Sequence, residues 1–474
     1  MSVTPTSLQR IPFRLAASLG AGVGALLAML AMLGAFRAAD LRIHDLRYAL
    51  RGPQPASSRI ALVEVDDPTV AAFGGKWPLP RENYAVLMDA LDGAGARAVG
   101  FDLLFLGENT EDAAGDALLT RLTQGNERVV HAINFLPGDV ALGGGGSVQS
   151  TDRAELIRHG RPVTHQRLAT ARQAALPFDD LLANAGALGH VAVAIDPDGV
   201  IRRIPQFVRY GEWAYPSLAL RLVECAARTD STLPQFELAE RGILSHWHGR
   251  VRHVPTDDEG TTSIAFAGDR ASFANRTSLI QVLQWYRDRD TLALARAFRG
   301  KLVLVGVTAV EQVATDIGAT PYAAAAPLVY IHANAVNAAL QGRFITHVES
   351  WRLAPVLMLL GLLLGLAFAR LSILRGAAVA LGTMVLIGAG DFAAFAGGDL
   401  DVPASAALLA PLLVWLTVEG VWRTVAERRA REHARELQVA RTIQQQMLPS
   451  APPRTEVLDV AGLNEPAEAI GGDY

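Results

Sequence analysis

Between Leu15 and Phe36 the chain runs for 22 residues without one ionisable side chain. At about 1.5 Å of rise per residue such a helix is about 33 Å long, which matches the roughly 30 Å hydrocarbon core of a bilayer. The stretch exceeds a signal-peptide core and no good small-x-small cleavage site precedes Asp40, so it reads as an uncleaved membrane helix over residues 14–36. Three more apolar stretches come late in the chain, at residues 353–369, 376–395 and 402–418, separated by short loops. Asp391 falls inside the third, where a carboxylate is costly in lipid; its place near the outer end is expected to let it reach water.

Arginines bracket these spans unevenly. Arg10 and Arg14 precede the first, Arg370 and Arg375 join the second to the third, and Arg423, Arg428, Arg429, Arg431 and Arg435 follow the fourth, whereas the loop between the third and fourth carries only Asp399 and Asp401. By the positive-inside rule residues 1–13 and everything after the fourth span are expected in the cytoplasm, with residues 40–350 outside.

Composition narrows the remaining choices. A chain of 474 residues has room for about three domains. With 50% hydrophobic and 19% charged residues and a mean hydropathy of +0.23, wholesale disorder is excluded. A formal charge of −4, from 43 basic and 47 acidic residues, gives no reason to expect a nucleic-acid partner. Cys225 is the single cysteine, which excludes an intrachain disulfide and any cysteine-built zinc or iron–sulfur site.

The outer segment predicts an α/β domain. Apolar runs bounded by Pro and Gly predict strands over 60–65, 98–104, 191–195, 200–208 and 302–307, with helices over 82–91, 217–227 and 331–340 and a flexible GGGGS loop at 143–147. Beyond the fourth span, residues 419–448 are rich in Arg and Glu and free of proline, which predicts a cytoplasmic coupling helix. Its heptad seam holds Ala430, His433, Ala440 and Gln444 where a firm coiled coil has Leu or Ile, so a signalling coiled coil and a solvated connector both fit.

Several motifs of the outer segment carry a resemblance. Asp45-Leu-Arg-Tyr-Ala-Leu-Arg-Gly-Pro53, Ile60-Ala-Leu-Val-Glu-Val-Asp66, Trp77-Pro-Leu-Pro-Arg81, the run from Gly95 to Phe105, Asp196-Pro-Asp-Gly199, Gly300-Lys-Leu-Val-Leu-Val-Gly306 and His332-Ala-Asn334 resemble the type-2 CHASE (CHASE2) sensor domain. The likeness spans roughly residues 40–344, and the three following spans fit that family's layout. It implies a bacterial extracytoplasmic sensor, in a multi-pass protein of the inner membrane with lipid around its spans.

Within this segment Asp66, Asp67, Arg81 and Asp102 are candidates to line a ligand pocket, because ligands sit at strand ends in α/β sheets; capping helices and pinning strand ends is the other reading. Asp196-Pro-Asp-Gly199 resembles the start of a calcium loop, yet the twelfth position is Phe207 rather than Glu, so a tight turn is expected. His246, His248 and His253 alternate around Gly249 and would meet on a hairpin. Gly20 with Gly24, and Gly361 with Gly365, form small-xxx-small pairs, which point to a homodimer through the spans or to packing within one chain.

The last residues carry a second resemblance. The run from Ala440 to Pro449, then Pro452-Pro453, then Gly462-Leu-Asn-Glu-Pro-Ala-Glu-Ala-Ile-Gly-Gly-Asp-Tyr474 resembles the opening of the SpoIIE/RsbU-like PPM-type serine phosphatase domain, over residues 449–474. That family uses the Asp of Gly-Gly-Asp-Tyr, here Asp473, to help bind a pair of manganese or magnesium ions, and its implied substrate is a phosphorylated anti-anti-sigma (STAS) protein. Asp473 alone cannot hold two metals, and no catalytic set is complete in these 474 residues. The expected architecture is an α/β sensor domain, four transmembrane helices, a coupling helix and an incomplete α/β phosphatase start. The expected function is a membrane receptor controlling a metal-dependent serine/threonine phosphatase if the chain continues; the alternative is a non-enzymatic truncated receptor that pairs with other membrane signalling proteins.

Overall fold

The computed structural model describes residues 12–136, 153–163, 167–240, 242–309 and 316–447. The GGGGS loop and the phosphatase-like segment with Asp473 lie outside the described residues. The chain divides into two units. One holds residues 38–348 together with 391–402; the other holds 1–37, 349–390 and 403–474.

The first unit is built on a seven-stranded sheet. Its strands are β1 (Ile60–Val65), β2 (Ala98–Asp102), β3 (Val129–Leu136), β4 (Gln173–Ala175), β5 (Ala187–His190), β6 (Arg276–Ser278) and β7 (Leu302–Val307). The order is β6-β1-β7-β2-β3, with β5 beside one half of β3 and β4 beside the other; every pairing is parallel except β3 with β4. A parallel sheet is covered on both faces, so its strands read as continuous apolar runs. In β1 every residue is buried. Ile60 and Leu62 enter one core while Ala61, Val63 and Val65 enter the other.

The helices that cover the two faces leave the sheet in opposite directions. The helix Arg81–Gly93, which links β1 to β2, and the helix Ala113–Thr123, which links β2 to β3, pack on one face through Leu87, Leu91 and Leu119. The helices Leu218–Ala227 and Leu328–Gln341 pack on the other, the second being the next helix among the described residues after β7. The carboxyl ends of β2 and β7, which are neighbours, therefore open a crevice from which the chain departs to both sides. That is the position where open α/β sheets bind ligands.

Several motif residues act as ties. Arg202 reaches Asp45 with two bonds, at 2.8 and 2.7 Å, and also Asp196 and Asp198, so the Asp196-Pro-Asp-Gly199 segment is a tight turn that grips an arginine. The Gly199 N–H closes that turn onto the Asp196 carbonyl, at 2.8 Å. The expected strands 191–195 and 200–208 are shorter and divided: the chain forms Ala194–Ile195, Ile201–Pro205 and Phe207–Tyr210. His246 and His253 do lie on a hairpin, but His246 pairs with Glu237, and His248 sits at the turn with φ of 48°. Among the described residues no three His, Cys, Asp or Glu side chains come together as a metal site.

This unit takes in a segment from beyond the expected domain of residues 40–350. Residues 391–402, from the loop between the third and fourth apolar helices, belong to it. The short strands Thr346–His347 and Leu400–Asp401 pair in parallel.

The second unit carries the apolar helices. Four are long and apolar enough to cross a membrane: Phe13–Met32, Ser350–Phe368, Ile373–Gly398 and the apolar part of Ser405–Met447. The first packs antiparallel on the second, and their glycines meet. A methyl added at Gly20 would collide with the Gly361 carbonyl, and one at Gly24 with the Leu357 carbonyl. Both glycine pairs thus pack against each other within one chain. The last helix runs unbroken from Ser405 to Met447, so the expected coupling helix is the continuation of the fourth span.

Candidate functional site

The helix Leu328–Gln341 shows where polar function resides in this fold. Every residue from Val329 to Leu340 is buried, including three polar ones, His332, Asn334 and Asn337. Buried polar groups are ordinarily hydrogen-bonded. Asn334 accepts from the Ala267 N–H at 2.7 Å and donates to the Gly268 carbonyl at 2.9 Å, and Asn337 accepts from the Ser57 N–H at 2.9 Å. His332 differs: no side chain bonds its ring, which lies against the Val191 backbone.

His332 faces Asp102, whose Oδ1 lies 3.8 Å from the imidazole Nε2, beyond hydrogen-bond range. Asp102 ends β2 at the crevice, 9% exposed, and its Oδ2 has no partner. The charges of Asp102 and His332 also act on Asp316, which precedes Ile317. His190, at the end of β5, is fully buried, has neither ring nitrogen bonded, and feels His332. Burial pushes the Asp102 and Asp316 carboxyls up to about 7, and the neighbouring Asp102 charge adds to the rise at Asp316. Burial pushes His332 down to about 4 and His190 to about 3, so both imidazoles are neutral in ordinary buffer.

An apolar pocket of about 370 Å³ adjoins this cluster along the chain, lined by Val193, Ile195, Ile201, Ile317 and Leu328 among others. Ile317 follows Asp316, and Leu328 lies one helical turn before His332.

Of the sequence candidates, Asp102 alone enters this cluster. Asp66 caps the helix Asp67–Ala72, accepting from the Thr69 N–H at 3.1 Å and from the Ser278 hydroxyl at 2.7 Å. Asp67 begins that same helix. Arg81 pairs with Asp116 at 2.6 Å, donates to the carbonyls of Leu106 and Gly107, and lies over the Phe178 ring. These three residues stand at strand and helix ends, Asp66 and Arg81 with the tying contacts of the other reading. Asp316 and His190 were missed. A histidine within an otherwise apolar helix, His332 in LVYIHANAV, was the available signal; nothing comparable marks Asp316.

The sensor-like motifs and the parallel sheet fall in one continuous stretch. Residues 22–367 match the CHASE2 domain family. The chain belongs to the CHASE2 family. No curated protein matches it, and no solved structure does. A CHASE2 domain with four helices long and apolar enough to cross a membrane makes this chain a membrane-bound, signal-sensing receptor. The motif residues Asp45, Tyr48, Arg51, Asp196 and Asn334 are what hold the CHASE2 domain together: the Tyr48 hydroxyl donates to the Ile264 carbonyl at 2.7 Å and Arg51 to that of Phe266, beside the Asn334 bonds to Ala267 and Gly268.

Proposed function

We propose that this receptor has its CHASE2 domain outside the bacterial inner membrane and both ends in the cytoplasm, and that it passes an external stimulus inward to a PPM-type serine/threonine phosphatase. The observation that carries the reading is the helix Ser405–Met447, which is continuous from the fourth apolar span into the Arg- and Glu-rich segment. A helix without a break carries a rotation or shift from one end to the other, whereas a flexible linker would dissipate it. The arginine excess after the fourth span supports a cytoplasmic end.

The phosphatase part rests on the likeness of residues 449–474 and concerns chain beyond Tyr474. Asp473 would be one carboxylate ligand of a manganese or magnesium pair, whose chemistry is to activate water for attack on a phosphoester. The substrate would be a phosphoserine or phosphothreonine of a STAS-type regulator.

The test uses a chain continued through the phosphatase domain, purified in membranes and given a phosphoserine STAS protein. Hydrolysis that requires manganese or magnesium and is lost in Asp473→Ala is the expected result. Hydrolysis indifferent to Asp473→Ala, or absent with every metal, removes the phosphatase reading and leaves the receptor without an enzymatic output.

A further inference from the structure

We propose that the helix Arg37–Arg51 binds lipid, laying Ile43, Leu46 and Leu50 into the membrane surface on the side that carries the CHASE2 domain. The inference goes beyond the receptor reading and rests on one part of it, that the apolar helices cross a bilayer; it does not depend on which side faces outward.

This helix has two faces. His44, Arg47, Tyr48 and Arg51 fall on one, as their spacing dictates, and that face is bound into the domain. The Tyr48 hydroxyl donates to the Ile264 carbonyl, Arg51 donates to that of Phe266, and His44 meets Asp401. The Tyr48 ring stands edge-on to that of Phe395, with centroids 5.0 Å apart. Ala39, Ile43, Leu46 and Leu50, spaced by four, three and four, fall on the opposite face. There Leu46 is 54% exposed and Leu50 64%. Val251 and Leu292 are comparably exposed, but each stands alone on its element, which is ordinary for a protein surface. Two leucines one turn apart beside Ile43 make a continuous apolar strip instead.

What covers the strip follows from the depth at which the helix lies. Only residues 33–36 separate its start from the end of the first apolar helix. Arg47 binds Asp391, Asp401 and the Val402 carbonyl. Asp391 follows Ile373, the start of the third apolar helix, by 18 residues. At about 1.5 Å each these rise about 27 Å, close to the far boundary of a hydrocarbon core of roughly 30 Å. Asp401 and Val402 stand just before the fourth apolar helix, which begins at Ser405. Arg47 is thus held at the level where the third span leaves the core and the fourth enters it. Leu46 and Leu50, on the other side of the same helical turns, share that level.

An apolar strip at that depth is stabilised by entering the boundary between headgroups and acyl chains, as amphipathic interfacial helices do. Arg42 is exposed one turn before Leu46, so its stem can lie along the strip while its guanidinium reaches a lipid phosphate. A second copy of the chain is the competing cover. Three side chains on one 15-residue helix fall short of the roughly 800 Å² a side that a specific protein interface buries, whereas a chain already held in the bilayer needs no such area to place them in lipid.

The test uses the full chain in vesicles of phosphatidylethanolamine and phosphatidylglycerol, with bimane on one added cysteine; the native Cys225 is buried and escapes the label. Leu46→Cys and Leu50→Cys probe the strip. Leu386→Cys, exposed on the third apolar helix, probes the hydrocarbon core, and Arg250→Cys on the hairpin probes water. Phospholipid carrying a doxyl nitroxide on its acyl chain quenches bimane in lipid, and iodide on both sides of the vesicle quenches it in water. We expect labels at 46 and 50 to lose fluorescence to the doxyl lipid and keep it in iodide, as the label at 386 does, with the label at 250 doing the reverse. Iodide quenching at 46 and 50 means that the strip faces water and overturns the proposal. Quenching by neither agent means that protein covers the strip, a second copy included, and overturns it equally. If the label at 386 is itself open to iodide, the span reading fails and the lipid contact falls with it; if 386 answers to doxyl lipid and 46 and 50 do not, the spans stand and this proposal alone falls.

Discussion

Arg47 and Asp391 form a two-pronged ion pair, with the arginine Nε and Nη2 donating to the two carboxylate oxygens at 2.8 and 2.7 Å. Arg47 also bonds Asp401 and the Val402 carbonyl. Asp391, expected to reach water, is instead buried against an arginine carried by the helix Arg37–Arg51, its side chain 8% exposed. One arginine thereby pairs with two carboxylates of the 391–402 segment. Removing Arg47 would leave the buried Asp391 charge uncompensated, a loss on the order of 3–5 kcal/mol, while Asp401 would keep His44 and His347. Arg47→Ala should therefore lower the chemical denaturation midpoint of the detergent-solubilised protein sharply, and Arg47→Lys, which keeps the charge but not the fork, should lower it less. Equal midpoints for wild type and Arg47→Ala would show that the pair contributes nothing to the fold.

Asp401 also receives His44 and His347, each with its Nδ1 at 3.2 Å. The hydrogen bonds of His347 and His44 and the Arg47 charge hold the Asp401 carboxyl well below its usual range against the opposing effect of burial, and its bond to Asp401 holds His347 above 6.5. The signs differ. The His347 contribution is full below 6.5 and is lost as pH rises through its raised value, whereas the Asp401 contribution is full above 3.8 and is lost as pH falls below it. His347→Ala should flatten the decline in thermal stability above about pH 6.5 and also shrink the acid limb, because one of the bonds that hold Asp401 low goes with it. The measurement is melting temperature against pH for the two proteins; superimposable curves would remove the interaction.

The glycines of the first span make a contrast. A side chain at Gly20 meets the Gly361 backbone, whereas one at Gly22 meets nothing within 4 Å. Gly20→Ala should cost about 1–3 kcal/mol through overpacking, and Gly22→Ala should be neutral or slightly stabilising. Thermal unfolding in detergent distinguishes them, and a neutral Gly20→Ala would contradict the helix packing.

The parts of this protein legible in its sequence were those governed by local pattern. Charge-free runs marked the apolar helices, and IALVEV and LVLVGV marked strands buried on both faces. Proline and glycine marked the Asp196–Gly199 turn. What remained hidden depends on residues brought together across long separations. Nothing local says that Arg47 will meet Asp391, or that Asp102 will face His332. Asp66 and Arg81 looked like pocket residues for the same reason that they are good anchors: both follow apolar or turn segments at element ends, and only the fold reveals that Thr69, Ser278 and Asp116 already occupy them.

The central claim is that the CHASE2 domain faces outward while the end of the long helix faces inward. Cys225 is the single native cysteine and is buried, so a cysteine placed elsewhere reports its own side of the membrane. Arg250→Cys and Ala430→Cys should be made separately, both at exposed positions, and spheroplasts treated with a membrane-impermeant maleimide. The account predicts labelling at residue 250 in intact spheroplasts and at residue 430 only after lysis. Labelling at 430 with protection at 250 would contradict it.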